Sequence, residues 1–444
     1  MKFFQVEGRT LFLLLLVLSV LIACNPAKQS NTGSVRPNQP GKPIPTKPAP
    51  MDTVRWVPNN SGKPPIGGTP SKPAPPNAGE DYHIAFLLPF LSNQMTGSET
   101  PEKSRLAVQF YSGAKIALEQ LSTEESINFV VSVWDTQGND ADFQKLMKDP
   151  RLEKSSVFIG PVRSSHVEAF AAWTKDWRKI LISPESPSAD LTSQNPDFVQ
   201  MNPSLRAHCE AITRFIRRSS RPEAVTLVCK QKEVDRLSYF QDANKAIGGN
   251  SRFAELVVPD QTTNFDKIDL KNHLRAGRSS VFVLPSWASQ DFVMAFLRKL
   301  KEIKGSNRVE VYGMPQWRNF EAIDPEYLNS LNVHISSSGW LDFQVQELKD
   351  FQQKFYDITG TIPDEDAFNG YDVTLFTGRM LARYGLSFPE HLEEASATTF
   401  HGQFSFSKIF SSGAVDDGQN LPDYWENTFV HILKFEKFSF VPAE

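Results

Sequence analysis

Residues 156–191 read SVFIGPVRSSHVEAFAAWTKDWRKILISPESPSADL, and this stretch decides the fold. Ser156–Gly160 is a short continuous apolar run that stops at Gly-Pro. Ser165–Trp173 carries apolar residues at helical spacing, and Ile180–Ser183 (ILIS) is a second apolar run ending in prolines and serines. Apolar runs with no alternation, separated by a helix, predict parallel strands buried on both faces of a sheet.

The pattern continues in both directions. Upstream lie His83–Phe90 (HIAFLLPF), a helix over Ala107–Leu121, the strand Ile127–Trp134 and a helix over Asp142–Met147. Downstream, a helix through Ala211–Arg217 opens a second series. Its expected strands are Val225–Cys229, Leu256–Val258, Val281–Leu284 and Val309–Tyr312, and its expected helices are Phe240–Ile247, Phe265–Leu274 and Phe292–Ile303. Leu348–Ile358 and Ala367–Tyr384 read as helices and Phe429–Phe435 as a closing strand. Residues 81–444 number about 360, more than one core usually supports, so two doubly wound α/β lobes are expected.

In such sheets ligands gather at the carboxyl ends of the strands. That rule singles out Gly160–His166 with Ser164 and Ser165 at a helix start, where the hydroxyls either cap the helix or face an anion. It also singles out Ser183–Leu191, with Glu185 and Ser186, and, in the second series, Pro285–Ala288 and Gly313–Trp317. Trp287 and Trp317 either wall a cleft or pack as ordinary core.

The succession IAFLLPF, VVSVWDTQG, SVFIGPVRSS, ILISPESPSADL and, later, AFNGYDVTLFTGRML resembles the type 1 periplasmic binding proteins of the leucine/isoleucine/valine-binding kind. The binding-protein-like domain of the penicillin-binding-protein activator lipoproteins has the same order. The resemblance spans residues 81–444. It implies two lobes joined by a three-stranded hinge and closing on a ligand, with lobe 1 over about 81–204 and 360–410 and lobe 2 over about 205–345 plus the C-terminal strands. It places ligand-binding residues at Ser164, Ser165, Glu185, Ser186 and Gln316, to which Trp287 is added as a candidate cleft wall. Two departures stand out: Pro187 sits where a hydroxyl is usual, and Met314-Pro315-Gln316 stands where a second-lobe acid would pair with an amino group. An ammonium without that carboxylate is costlier to desolvate.

The N-terminus belongs to another class of sequence. Lys2 and Arg9 precede an apolar run, Leu11–Ile22, broken only by Ser19, and Ala23-Cys24 follow. This is the layout of an export signal over residues 1–23, and the run is shorter than the roughly 20 residues of a membrane-spanning helix. Leu21-Ile22-Ala23-Cys24 resembles a lipobox, which implies cleavage before Cys24, acylation of that residue and a membrane anchor. The absence of acidic residues just after Cys24 implies an outer-membrane lipoprotein facing the periplasm.

Residues 25–80 hold 14 of the 31 prolines with few apolar residues, which predicts a disordered tether over 24–80. Met51–Val57 is an apolar island in it, with no role assigned. Removing the nine basic and three acidic residues of the first 80 leaves 38 basic and 48 acidic residues, a balance of −10 that disfavours nucleic acid. Neither a catalytic motif nor a cofactor loop nor a metal-spaced histidine cluster is present, so a non-enzyme is expected. Two functions fit: a solute-binding or sensing protein for a small polar, amino-acid-like ligand serving a transporter, or an interaction module regulating a peptidoglycan synthase. Cys209 and Cys229 either pair or stay buried and free.

Overall fold

The computed structural model describes residues 53–56, 81–96, 101–125, 127–410 and 421–443. The export signal, Cys24 and all of the Pro-rich stretch except residues 53–56 lie outside the described residues.

The first run of elements is β1 (Thr53–Trp56), β2 (Asp81–Leu88), α1 (Arg105–Glu124), β3 (Asn128–Asp135), α2 (Asp140–Leu146), β4 (Val157–Ile159), α3 (Ser164–Asp176), β5 (Ile180–Ser183) and β6 (Phe198–Gln200). The second is α4 (Leu205–Arg217), β7 (Val225–Lys230), α5 (Leu237–Ala246), β8 (Ala254–Val258), β9 (Ser280–Val283), α6 (Gln290–Lys304), β10 (Val309–Gly313), α7 (Pro325–Ser330) and β11 (Val333–Ser337). The chain then returns through α8 (Gln346–Thr359), α9 (Glu365–Tyr384), β12 (Ser396–Thr399), β13 (Gly402–Ile409) and β14 (Tyr424–Asn427), and ends with β15 (His431–Glu436) and β16 (Ser439–Pro442).

Two sheets result, ordered β1-β3-β2-β4-β5-β6-β14-β13-β12 and β16-β15-β11-β10-β9-β7-β8. Their central strands are parallel, as continuous apolar runs require. Val157, Phe158 and Ile159 of β4 are all buried, and Val167, Phe170 and Ala171 turn the same face of α3 onto the sheet. Each sheet has its own apolar core, and the first is covered on both faces. The chain passes between the two lobes three times: after β6 at residues 201–204, after β11 at 338–345, and after β14 at 428–430.

Several elements differ from the sequence reading. Phe265–Leu274 is not a helix; it contains one short 3-10 turn, Lys271–His273. Asn264 Oδ1 accepts from Asp266 N and Asp269 Oδ1 from Lys271 N, so side-chain acceptors take the donors a helix would need. Phe265 and Leu270 are still buried, which explains their helix-like spacing. The Met51–Val57 island supplies β1, which pairs antiparallel with β3 and is tied by Arg55 to Asp81 at 2.9 Å.

α9 crosses α1 in backbone contact. A Cβ on Gly370 would lie 2.0 Å from the Phe110 carbonyl oxygen, and one on Gly113 would lie 1.9 Å from that of Ala367. Only glycines permit this approach, and it fixes where the first turn of α9 stands.

Candidate functional site

The carboxyl ends of β4 and β5 bring two of the predicted loops together. Gly160 has φ +91°, and a Cβ there would meet the Leu87 carbonyl oxygen at 2.3 Å, so the turn after β4 requires glycine. Ser164 opens α3 without capping it. Its hydroxyl instead lies 2.9 Å from that of Ser186 and 3.1 Å from that of Ser188, across the gap between the loops. Ser165, one residue on, is exposed.

The next loop residue enters a different environment. Glu185 accepts a hydrogen bond from the Asn369 amide of α9, and its own carbonyl accepts from Asn202 Nδ2 of the first crossover at 2.8 Å. It lines a cavity of about 200 Å³ at the junction of the lobes, with Asn202, Ser338, Asp366, Asn369 and His401 among its other polar walls. No arginine or lysine lines this cavity. Burial, reinforced by the charge of Asp366, pushes the Glu185 carboxyl up to about 7. Burial likewise raises Asp366 to about 6, with Asp364 and Glu365 adding to it.

His401 closes the hinge side. Its Nδ1 lies 2.9 Å from Asp372 Oδ2, and that buried carboxylate also accepts from the backbone amides of Phe400 and His401. Burial alone would hold the ring neutral. The hydrogen bond and charge of Asp372, helped by Glu365 and Glu185, overcome that and lift the ring above the ordinary histidine range. The His401 carbonyl accepts from Trp340 N of the second crossover at 3.0 Å and from His431 Nε2, just past the third, at 2.8 Å.

The second lobe offers a different lip. Trp287 is half-buried and meets His208 edge-on at 5.5 Å, and burial pushes His208 down to about 3. Trp317 is core, with Nε1–H donating to the Ser286 carbonyl at 3.0 Å. Gln316 beside it is exposed. Ser286 donates to the buried Glu233 at 2.5 Å, which also accepts from Arg236 at 2.9 Å. Arg318 reaches towards Glu365 of the first lobe, 3.9 Å away. Cys209 and Cys229 are both free and buried, and burial raises both thiols, Cys229 to about 12.

Of the six predicted ligand residues, then, Ser164 and Ser186 meet each other and Glu185 lines the cavity. Ser164, Ser165, Ser186, Trp287 and Gln316 all lie outside its wall. Asn369 and Asp372 went unnoticed because helix Ala367–Tyr384 read as packing, and Asp366 and His401 because they lie just before that helix and in a turn after it. The acidic residues before it, Asp364–Asp366, are the one signal that was there, and acids at a helix start ordinarily serve as caps. Asp364 does accept from the amides of Asp366 and Ala367. Among the described residues, no cluster of metal-ligating side chains is found.

Residues 111–302 match the family model described as "Receptor family ligand binding region". No protein of curated function matches the sequence. Among solved structures, a putative branched-chain amino acid ABC transporter protein from Rhodospirillum rubrum superposes with a TM-score of 0.59 at 14% identity, covering 82% of this chain and 100% of its own. A branched-chain amino acid ABC transporter periplasmic ligand-binding protein from Burkholderia xenovorans gives 0.55 at 11%, covering 82% and 94%. An ABC transporter substrate-binding protein from Desulfitobacterium hafniense, in complex with Leu, gives 0.52 at 15%, covering 82% and 100%. At these identities the likeness is one of fold.

Proposed function

From a chain that has the fold of the type 1 periplasmic binding proteins, we infer a non-enzymatic solute-binding or sensing protein that takes a small polar, amino-acid-like ligand between its lobes. The observation that carries this reading is the cavity of about 200 Å³ at the lobe junction, walled by polar groups from the first lobe and from the crossovers. Such convergence of a few polar groups on a concave space is how small-ligand sites are built. The ligand's amino group would face Glu185 and Asp366 of the first lobe, which answers the lack of an acid in Met314-Pro315-Gln316. Ser164, outside the cavity wall, ties the two neighbouring loops together through Ser186 and Ser188.

In this reading residues 1–23 export the chain and lipid on Cys24 anchors it to the outer membrane, facing the periplasm. The Pro-rich stretch of 24–80 spaces the lobes from that anchor, and a transporter is the partner that receives the solute. No described helix is long and apolar enough to cross a membrane.

A thermal-shift screen against amino acids, short peptides and cell-wall fragments tests the ligand. A true ligand at 100 times its Kd stabilises by about 2.7 kcal/mol. Flat melting curves across the panel at saturating concentrations would refute solute binding.

A further inference from the structure

His401 occupies a position that ligand binding alone does not account for. It sits in the turn between β12 and β13 of the first lobe, yet its backbone carbonyl is the shared acceptor for Trp340 N and His431 Nε2. Trp340 belongs to the second crossover and His431 follows the third. Gly339, beside Trp340, runs so close that a Cβ there would lie 2.6 Å from the His401 ring. The ring itself is held from the other side by Asp372 of α9, a helix locked to α1 through Gly113 and Gly370. One residue thus joins the rigid part of the first lobe, through its ring on Asp372, to the second crossover and the residue after the third, through its backbone carbonyl.

We propose that His401 is a proton-operated latch on the hinge: its charged ring, paired with Asp372, pins the β12–β13 turn whose carbonyl holds Trp340 and His431, and losing the proton loosens that turn and frees the jaw to change its opening. The proposal rests on the hinged-jaw reading above and goes beyond it.

The groups around the ring decide the direction. On α9, Asp372, Glu365 and Asp366 face it, and from the loop after β5, Glu185 does. Asp372, Glu365 and Glu185 favour the charged form. His431 opposes it, but burial holds His431 itself below the ordinary range, with Arg318 acting the same way. Because the His401 proton is bound more tightly here than in a free chain, the clamp is fully supported below pH 6.5 and is lost as pH rises through the raised value. Glu185 and Asp366 move the same way. Their charged forms are penalised in this arrangement, so it loses further support as pH climbs towards 7.

The test uses the full-length chain carrying Cys24→Ser, with spin labels on Glu168→Cys in α3 and Asp291→Cys in α6. Cys209 and Cys229 are buried with raised thiols and stay unlabelled. The interlobe distance distribution, measured from pH 5.5 to 8, should shift with a midpoint above 6.5, and His401→Gln and Asp372→Asn should both abolish the shift. A distance indifferent to pH, or a shift retained in His401→Gln, overturns the latch. A histidine NMR titration of the unlabelled protein guards against a merely misfolded variant. The resonance missing in His401→Gln should titrate above 6.5 in the parent chain, and a value at or below 6.5 is equally fatal. If a ligand found by thermal shift moves the labels and pH does not, binding stands and the latch falls. If neither moves them, the jaw itself is wrong.

Discussion

The two lips of the junction handle buried charge in opposite ways. In the second lobe Glu233 is 4% exposed, and its carboxylate is matched by Arg236 and by the Ser286 hydroxyl. Arg236 also donates to the Pro285 carbonyl, so this acid, base and hydroxyl satisfy one another. In the first lobe Glu185 has an amide for a partner and Asp366 for a neighbour, and its carboxyl is pushed up to about 7. A satisfied network gives rigidity and asks for nothing further. A half-buried acid whose cationic neighbour is a histidine already held by another carboxylate is a standing cost, and proteins retain such costs where function needs them. The contrast supports the proposal that a positive group is recognised by the first lobe, with the second in a supporting role.

Three substitutions break or sharpen that contrast. Gly370→Val drives a side chain into the Phe110 carbonyl and displaces α9, which carries Asp366, Asn369 and Asp372. Overpacking of this kind should cost about 3 kcal/mol in chemical denaturation. Hydrogen exchange should locate the loss in the first lobe while the amides of β7, β9 and β10 keep their protection. Glu233→Ala strips Arg236 and Ser286 of their acceptor. Loss of one member of a buried pair is expensive, but Arg236 keeps a third of its surface in water, so about 2 kcal/mol is expected.

Glu185→Gln should act with the opposite sign. Folding raises this carboxyl from 4.5 to about 7, so ionisation penalises the fold increasingly as pH rises through that window. The amide escapes the penalty, and the variant should gain about 1–2 kcal/mol at pH 8 and nothing at pH 4. The same change should weaken any ligand that carries an ammonium group. A loss of stability at pH 8 would mean that Glu185 is a structural partner like Glu233, and the contrast would collapse.

The fold was legible wherever burial wrote itself into local periodicity. β4, β5, β9 and β10 are buried at every, or nearly every, position and read directly as apolar runs. α1, α6, α8 and α9 showed their faces through helical spacing. What escaped lacks a continuous apolar run. β11 (VHISS) and β14 (YWEN) are buried at every position but carry polar residues there, β13 is largely half-exposed, and β6 is three residues long. β1 lies among prolines and is a strand because the edge of β3 accepts it. Phe265–Leu274 misled in the other direction, since Asn264 and Asp269 compete locally for the backbone.

The candidate site divides along the same line. Ser164 and Ser186 were legible because both follow strands, and the carboxyl-end rule needs only the order of strands. Asp366, Asn369 and His401 follow none of the parallel strands of the first run. They reach Glu185 through a helix 180 residues further along and through a turn beyond it.

By itself, the sequence determined that this chain alternates buried strands with helices in two series, and that its N-terminal 80 residues are of another kind. Both are matters of which residues seek water and at what spacing, and neighbours in the chain suffice to decide them. Only the tertiary structure decided which carboxylate stays unpaired and which histidine holds the hinge. The pKa of Glu185 and the charge of His401 depend on distances to groups far away in sequence, and on how much water the packed lobes leave between them.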